Sequence, residues 1–490
     1  MTEESPGRAH AAGHRAARNT AVLMASEIVG RLAWFAVFAG LGRTQGEAEV
    51  GIFVFAAALV QIAMLGVDLG LDRYLIRTVA KDHEQRHSLL SDIVSLKLVL
   101  AVPVALGLAL LANLLGYGGE TEQTIYLLTI AFVLEGLGRT VFAVLTAFEE
   151  GGPIAITAVV QRVSAAALGL IALILGYGVV VVAACYLVGA AIGLALATVL
   201  MFRAVGVPRW TPDRRRWMRH ARTSLPFATE DVFTVLLFKV DAVILAVMTT
   251  EATVGLYGAA YRVFEATLVV PYALVRAFSA MYVYLERDTE PTIQGTFSRS
   301  IKLALAGLLP LSVAFGLLAG PLLTATFGDD FTEAAGPLRL LAPAIAMLGI
   351  VSLSNAVITS RRDPKIVMYL AAAIAAVNVA LNLALIPAYE ASGAAAAMLI
   401  SEALFSAAAL TIAARTVGGV EWLRMLAGPL IAGAAMAAVI LPLDGTPLLA
   451  LAAGGLAYLA VLYTVERLVS PGDVRFATDL LARYLPGGPT

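Results

Sequence analysis

Residues 51–65 read "GIFVFAAALVQIAML" and run without a linker into "GVDLGLDRYLIRTVAKDHEQRH", residues 66–87. The first stretch is apolar except for Gln61. The second sets two aspartates and two arginines between positions 68 and 77. About 20 apolar residues cross the hydrocarbon core of a bilayer as a helix. The pattern is that of a membrane span ending in charge at an interface. Asp68 and Asp72 stand one helical turn apart, and so do Arg73 and Arg77; each pair would share a helix face. One role for them is anchoring, with the arginines reaching lipid phosphates. The other is an inner gate, a charge latch that opens and closes the mouth of a transport path.

The composition agrees with a membrane protein. Hydrophobic residues make up 60% of the 490 and charged residues 14%, with a mean hydropathy of +0.85. A soluble chain of this length could not hide so much apolar surface from water. The net charge of −1 gives no footing for nucleic-acid binding. The single cysteine, Cys185, lies in an apolar run and reads as a small core residue. The five histidines show no metal-ligand spacing, and no Gly-Lys phosphate loop is present. Neither a metal nor any other cofactor is expected. The N-terminal "MTEESPGRAHAAGHRAARNT" is polar and basic, and the apolar segment after it carries Glu27 and Arg31 without a small-residue cleavage site. It reads as an uncleaved first span.

The expected fold is all-α and polytopic, with about 14 transmembrane helices. They fall near residues 20–41, 50–71, 90–113, 123–147, 155–176, 179–202, 224–249, 254–284, 300–320, 337–360, 365–387, 391–414, 422–441 and 446–466. Lys and Arg collect in alternate loops, as they should on the cytoplasmic side. With the N-terminus inside, the even loops hold "RYLIRTVAKDHEQR", "RAVGVPRWTPDRRRWMRHAR", "ERDTEPTIQGTFSR" and "RRDPK". The odd loops "GYGGETEQ", "TTEAT", "FGDDFTEAAG", "PAYEAS" and "PLDGT" contain neither residue, although Arg43 sits in the first odd loop. The fourth loop, "FEEGGP", is acidic although it falls inside. Both termini are placed in the cytoplasm of a cell with this protein in its cytoplasmic membrane.

An internal repeat follows from two matches at nearly one offset. "VGIFVFAA" from Val50 resembles "VGLYGAAY" from Val254, and "SLKLVL" from Ser95 resembles "SIKLAL" from Ser300. Spans 1–6 and 7–12 then form two lobes related by a parallel repeat. The expected organisation is a cytoplasmic segment at 1–19, an N-lobe at 20–202, a basic linker at 203–223, a C-lobe at 224–416, two added helices at 417–468 and an amphipathic tail at 469–490.

The motifs also resemble a known family. "LGVDLGLDRYLIRTVA" resembles the end of the second span in the polysaccharide-transporter branch of the multidrug/oligosaccharidyl-lipid/polysaccharide (MOP) exporter superfamily. "LPFATEDVFTVLLFKVDAVILAVMTTEATVGLYGAAYRVFE" is similar to its seventh and eighth spans. "FGDDFTEAAGPLRLLAP" and "VNVALNLALIPAYEASGAAAAMLISE" are similar to the start of its tenth span and to its eleventh and twelfth. The resemblance covers residues 18–416, with one departure: many members have Gly where this chain has Glu390. It implies two six-helix lobes around a central cavity, two extra helices, and flipping of polyprenyl-phosphate- or diphosphate-linked glycans across the cytoplasmic membrane. The implied partners are that glycan lipid, the bilayer, a coupling Na+ or H+, and proteins that assemble the glycan.

Ionisable side chains within spans are costly and mark partners, cavities or ion paths. Here they are Glu27 and Arg31 in span 1, Glu135 and Arg139 in span 4, Arg162 in span 5, Lys239 and Asp241 in span 7, and Arg262, Glu265 and Arg276 in span 8. Asp241 and Arg262 lie at about the same depth, and Arg31 at nearly the same level in the other lobe, counting about 1.5 Å per residue. They suit a structural ion pair, or a cavity lined by Arg31, Arg262, Glu27, Glu265 and Asp241 that holds an anionic headgroup. Arginine fits that task because its planar fork takes two phosphate oxygens and stays charged. The resemblance adds that arginines in the first, second and eighth spans of related lipid-pyrophosphate flippases serve it. Asn355, Asn378, Asn382 and Glu402 add polar atoms to the second lobe, where hydrogen bonds between helices are expected.

Two other functions compete. A cation-coupled multidrug exporter of the same superfamily would usually have twelve spans. A membrane glycosyltransferase or polysaccharide polymerase would need a long external loop, and none here exceeds about a dozen residues by the span count. The chain therefore reads as a transporter and not as an enzyme.

Overall fold

The structure, a computed structural model, describes residues 6–267, 290–443 and 445–470. Arg276 and the rest of the expected eighth span lie outside the described residues, as does the tail beyond Ser470. All regular structure among the described residues is helical. In lipid each backbone N–H and C=O must be satisfied within the chain, and the α-helix does this locally.

The first part of the chain contains α1 (Pro6–Gln45), α2 (Glu47–Asp68), α3 (Leu71–Lys81), α4 (Arg86–Leu114), α5 (Gly119–Ala147), α6 (Gly151–Ile174), α7 (Val179–Val205), α8 (Arg214–Met248) and α9 (Glu251–Ala266). The second contains α10 (Glu290–Leu317), α11 (Ala319–Phe327), α12 (Ala335–Arg361), α13 (Lys365–Thr416), α14 (Trp422–Ile440) and α15 (Pro447–Val469). Among the described residues, 11 segments are long and apolar enough to cross a membrane. One of these, α13, is two helices joined at Glu390, so twelve of the expected spans are in place. The other two correspond to α8 and α9. α8 begins inside the basic stretch that precedes span 7 and extends through it, and α9 reaches Ala266, close to where the described residues stop. The protein is a multi-pass membrane protein. Large apolar side chains such as Leu106, Ile174 and Leu448 stand exposed, as a surface solvated by acyl chains requires.

The chain divides into two compact units, Met1–Gly258 and Ala259–Thr490. In the first, α5 packs on α7 and α2, α1 on α6, and α2 on α8. The short α3 is amphipathic. Leu71, Leu75 and Val79 are fully buried on one face against Leu90 and Ile93 of α4 and Val144 of α5. Each such side chain contributes roughly 1.5–3 kcal/mol on burial. Arg73, Arg77 and Lys81 point away from that face.

The expected span through residue 71 ends at Asp68. Leu69 and Gly70 are both left-handed, at φ 42 and 71, and the chain turns there into α3. Gly70 is required twice over. Its φ suits glycine, and a Cβ there would sit 2.5 Å from the Ala228 nitrogen of α8. At the other end of α2, Gly51 and Gly255 let α2 and α9 meet backbone to backbone. A Cβ on Gly51 would strike the Glu251 carbonyl, and one on Gly255 the Glu47 carbonyl.

In the second unit α12 packs on α13 and α10, and α14 packs on α15 and α10. The Lys302 ammonium of α10 donates to Glu466 Oε2 of α15 at 2.9 Å and to Ser470 Oγ at 3.1 Å, all in a buried setting. The kink in α13 puts Glu390 at φ 48, ψ −126, a left-handed conformation at the position where the resembling family often has glycine.

Candidate substrate site

The charges that close α2 meet one buried lysine. Lys97 of α4 has a side chain 1% exposed. Its ammonium donates to Asp68 Oδ1 and to both carboxylate oxygens of Asp72, each at 2.8 Å, and to the Gly136 carbonyl at 3.3 Å. Arg139 of α5 donates to Asp68 Oδ2 at 2.5 Å, and the Thr140 hydroxyl to Asp72 Oδ1 at 2.8 Å. The break at Leu69–Gly70 separates the two aspartates onto α2 and α3, yet Lys97 gathers both. Such charge-assisted bonds fix side chains rigidly. Beside them Arg73 Nη2 donates to Asp231 Oδ1 of α8 at 2.7 Å. Asp68, Asp72, Arg73, Arg139 and Asp231 line a cleft of about 370 Å³ together with Gln61 and Phe132. Arg77 lies apart from the lysine, with its guanidinium 5.8 Å from the centre of the Phe227 ring.

A second, smaller cavity of about 140 Å³ lies between α5, α6 and α7 and is lined by Glu135, Arg139, Gln161 and Arg162. Glu135 Oε1 accepts from Gln161 Nε2 at 2.6 Å and from the Tyr186 hydroxyl at 2.9 Å. The hydrogen bond of Arg139 therefore goes to α2 rather than to Glu135 on its own helix. Arg162 pairs with Glu27 of α1 at 3.0 Å. Arg31, one turn along α1, is half-buried. Trp34, Phe38, Phe53 and Tyr186 stack beside this network, with ring centroids 5.0–6.4 Å apart.

Asp241 of α8 is 1% exposed. It accepts from the Tyr257 hydroxyl and, at 2.7 Å, from the Ala242 N–H. Arg262 donates to Glu265 Oε2 at 2.6 Å within α9. In α13 the Asn378 amide donates to Ser401 Oγ at 3.1 Å across the kink, and on its own arm accepts at Oδ1 from Asn382 at 3.0 Å. The carboxylate oxygens of Glu402 have no hydrogen-bond partner among the described residues. The basic stretch is held by Asp92 of α4, fully buried, which accepts from His220 Nε2 at 3.1 Å, from Arg216 Nη2 at 3.3 Å and from the Asp213 N–H at 2.7 Å.

Sequence reasoning did not single out Asp231, Gln61 or Phe132 as site residues, nor did it single out Lys97. This lysine lies in "SLKLVL", which served only to detect the repeat. A lysine in the middle of an apolar span was the available signal.

The profile of a family described as polysaccharide biosynthesis protein matches residues 16–278, more than half of the chain. The chain belongs to this family. A probable low-salt glycan biosynthesis flippase, Agl15, from Haloferax volcanii is 22% identical over 390 residues, which are 79% of this chain and 81% of that protein. Among solved structures, the lipid II flippase MurJ in an inward closed conformation superposes with a TM-score of 0.73 at 15% identity, covering 92% of this chain and 98% of the other. An inward-facing multidrug resistance MATE transporter of the MOP superfamily gives 0.62 at 16% identity, covering 79% and 94%. The family member described here therefore has the fold of the MOP superfamily.

Proposed function

We propose that this member of the family is a flippase that moves a polyprenyl-phosphate- or diphosphate-linked glycan from the cytoplasmic to the outer leaflet of the cell membrane. The lobes at 20–202 and 224–416 would alternate access around the substrate, with both termini in the cytoplasm. The observation that carries this reading is the chain of charges inside the membrane-spanning first unit. Glu27–Arg162, Asp68–Arg139 with Lys97, and Arg73–Asp231 lie along two cavities of an otherwise apolar bundle. A purely structural bundle has no use for so many ions among membrane-spanning helices, where each is costly to place. The name of the Haloferax volcanii relative supports the substrate class.

In this reading Arg31 and Arg262 receive the phosphate, with Glu27, Glu265 and Asp241 holding the lining in position. Arg73 with Asp231 forms the latch of the inner gate, between α3 and α8, with Asp68, Asp72 and Arg77 around it. A Na+ or H+ gradient would drive the cycle. The test measures surface glycan and accumulated lipid-linked precursor in strains carrying Arg31→Ala or Arg262→Ala at equal protein level. Each variant should insert normally and block export, and Arg→Lys should rescue only partly because the fork is lost. Normal export by the double variant would remove the arginines from the site.

The likeness to a multidrug resistance transporter favours a second reading, cation-coupled export of small molecules. Ethidium efflux from cells expressing the protein, with unchanged surface glycan on its deletion, would select that reading.

A further inference from the structure

We infer that the cleft at the α2–α3 junction holds a sugar ring of the lipid-linked glycan, separately from its phosphate. This rests on the proposed flippase reading and goes beyond it by dividing the substrate between two places.

The first support is charge. Each cation at the cleft already has a carboxylate in hydrogen-bond contact. Arg139 is bonded to Asp68 at 2.5 Å, Arg73 to Asp231 at 2.7 Å, and Lys97 to Asp68 and Asp72 at 2.8 Å. Among the described residues of the cleft, Arg73, Lys97 and Arg139 are matched by Asp68, Asp72 and Asp231, which gives an anion no excess positive charge there. A phosphate placed here would meet Asp68, Asp72 and Asp231 at close range, and like charges a few ångströms apart repel strongly in a partly desolvated site. A free metal cation would meet the two guanidiniums in the same way.

The second support is hydrogen-bonding capacity. A sugar hydroxyl both donates and accepts. The cleft offers the remaining lone pairs of Asp68 and Asp72, the further N–H groups of Arg139 and the Gln61 amide, which does both. The polar lining is not sealed off: the side chains of Arg139, Arg73 and Asp231 are 43–44% exposed although they lie among membrane-spanning helices. Lys97 lies beneath them almost without exposure and fixes Asp68 and Asp72 in place. A fixed, charge-balanced array of this kind recognises a neutral polyhydroxyl ligand by geometry rather than by net attraction.

The third support is shape. Phe132 of α5 lines the cleft, mostly buried with its ring 5.8 Å from that of Tyr186, and supplies an apolar contact that suits the C–H side of a pyranose ring. The volume of about 370 Å³ lies at the small end of ligand-site sizes, fitting a ring or two rather than a whole glycan.

Gln61 and Phe132 are the residues to change, because no ion pair depends on either. The purified full-length chain is assayed for equilibrium binding of two probes. One is the lipid-linked glycan fraction extracted from membranes of the organism that carries the protein. The other is geranylgeranyl diphosphate, which has phosphates and a prenyl tail but no sugar. Gln61→Leu and Phe132→Leu should each weaken binding of the glycan fraction by about tenfold, and leave geranylgeranyl diphosphate within about twofold. Phe132→Tyr keeps the ring and should bind like the unaltered chain. Unchanged glycan binding in both Leu variants overturns the sugar subsite and leaves the flippase reading standing. Equal weakening of both probes, with Phe132→Tyr behaving normally, makes the cleft a phosphate site and overturns it as well. If the unaltered chain binds the glycan fraction no better than geranylgeranyl diphosphate, the flippase reading fails first.

Discussion

Lys97 decides how the charges of the first unit are arranged. Removing it leaves two carboxylates close together in a partly desolvated site, whereas removing all three charges together would not. Lys97→Met is expected to destabilise the protein by about 3 kcal/mol, read as a lower midpoint in thermal unfolding of the detergent-purified protein. Lys97→Arg should lose much less. Glu390 gives the opposite case. Its left-handed φ of 48 is strained for any residue with a Cβ, so Glu390→Gly should raise stability by about 1 kcal/mol in the same melt. A lower midpoint would mean that the contacts of Glu390 outweigh the strain. The ionisable positions were legible in the sequence because charge stands out in an apolar span. Their partners were not. Depth follows from counting residues along a helix, but the direction a side chain faces depends on the neighbouring helix. Arg139 stands one turn from Glu135 on its own helix, yet it bonds to Asp68 on another.

Elements were easier to read than pairings. Apolar runs bounded by charged or glycine-containing loops gave the helices of both units, because in lipid nothing else satisfies the backbone. The break between α2 and α3 was harder to see. The pattern Asp68, Asp72, Arg73, Arg77 keeps helical spacing through Leu69–Gly70, so periodicity alone carries the helix across. What breaks it is tertiary: α8 approaches so closely that only a glycine fits, with its φ on the left-handed side. Gly70→Ala should therefore cost about 2–3 kcal/mol through strain and overlap with α8. The size-exclusion profile and melting midpoint of the variant report this, and an unchanged midpoint would show that α3 can shift away at no cost. Gly107, with open space around it, is the control position for the same substitution.

Over the whole molecule, the alternation of basic and non-basic loops predicts which segments face the cytoplasm. In a Cys185→Ala background, cysteines at Gly118 and Asp329 should react with an impermeant thiol reagent in intact cells, and one at Asp213 should not. Labelling at Asp213 with silence at Asp329 would reverse the orientation. The repeat links the two halves in another way. Lys97 and Lys302 occupy matching places in "SLKLVL" and "SIKLAL", and both are buried and ion-paired. Lys97 finds Asp68 at the end of α2 and Asp72 at the start of α3. At the corresponding offset the second half has Tyr272 or Ala273 and Arg276 or Ala277, and Lys302 takes its counter-charge from Glu466 on α15. A gene shortened after residue 416 would thus take away the Glu466 carboxylate to which the buried Lys302 ammonium donates. Deleting residues 417–490 is therefore expected to lower the melting midpoint more in the unaltered chain than in a Lys302→Met background, where no ammonium loses that carboxylate.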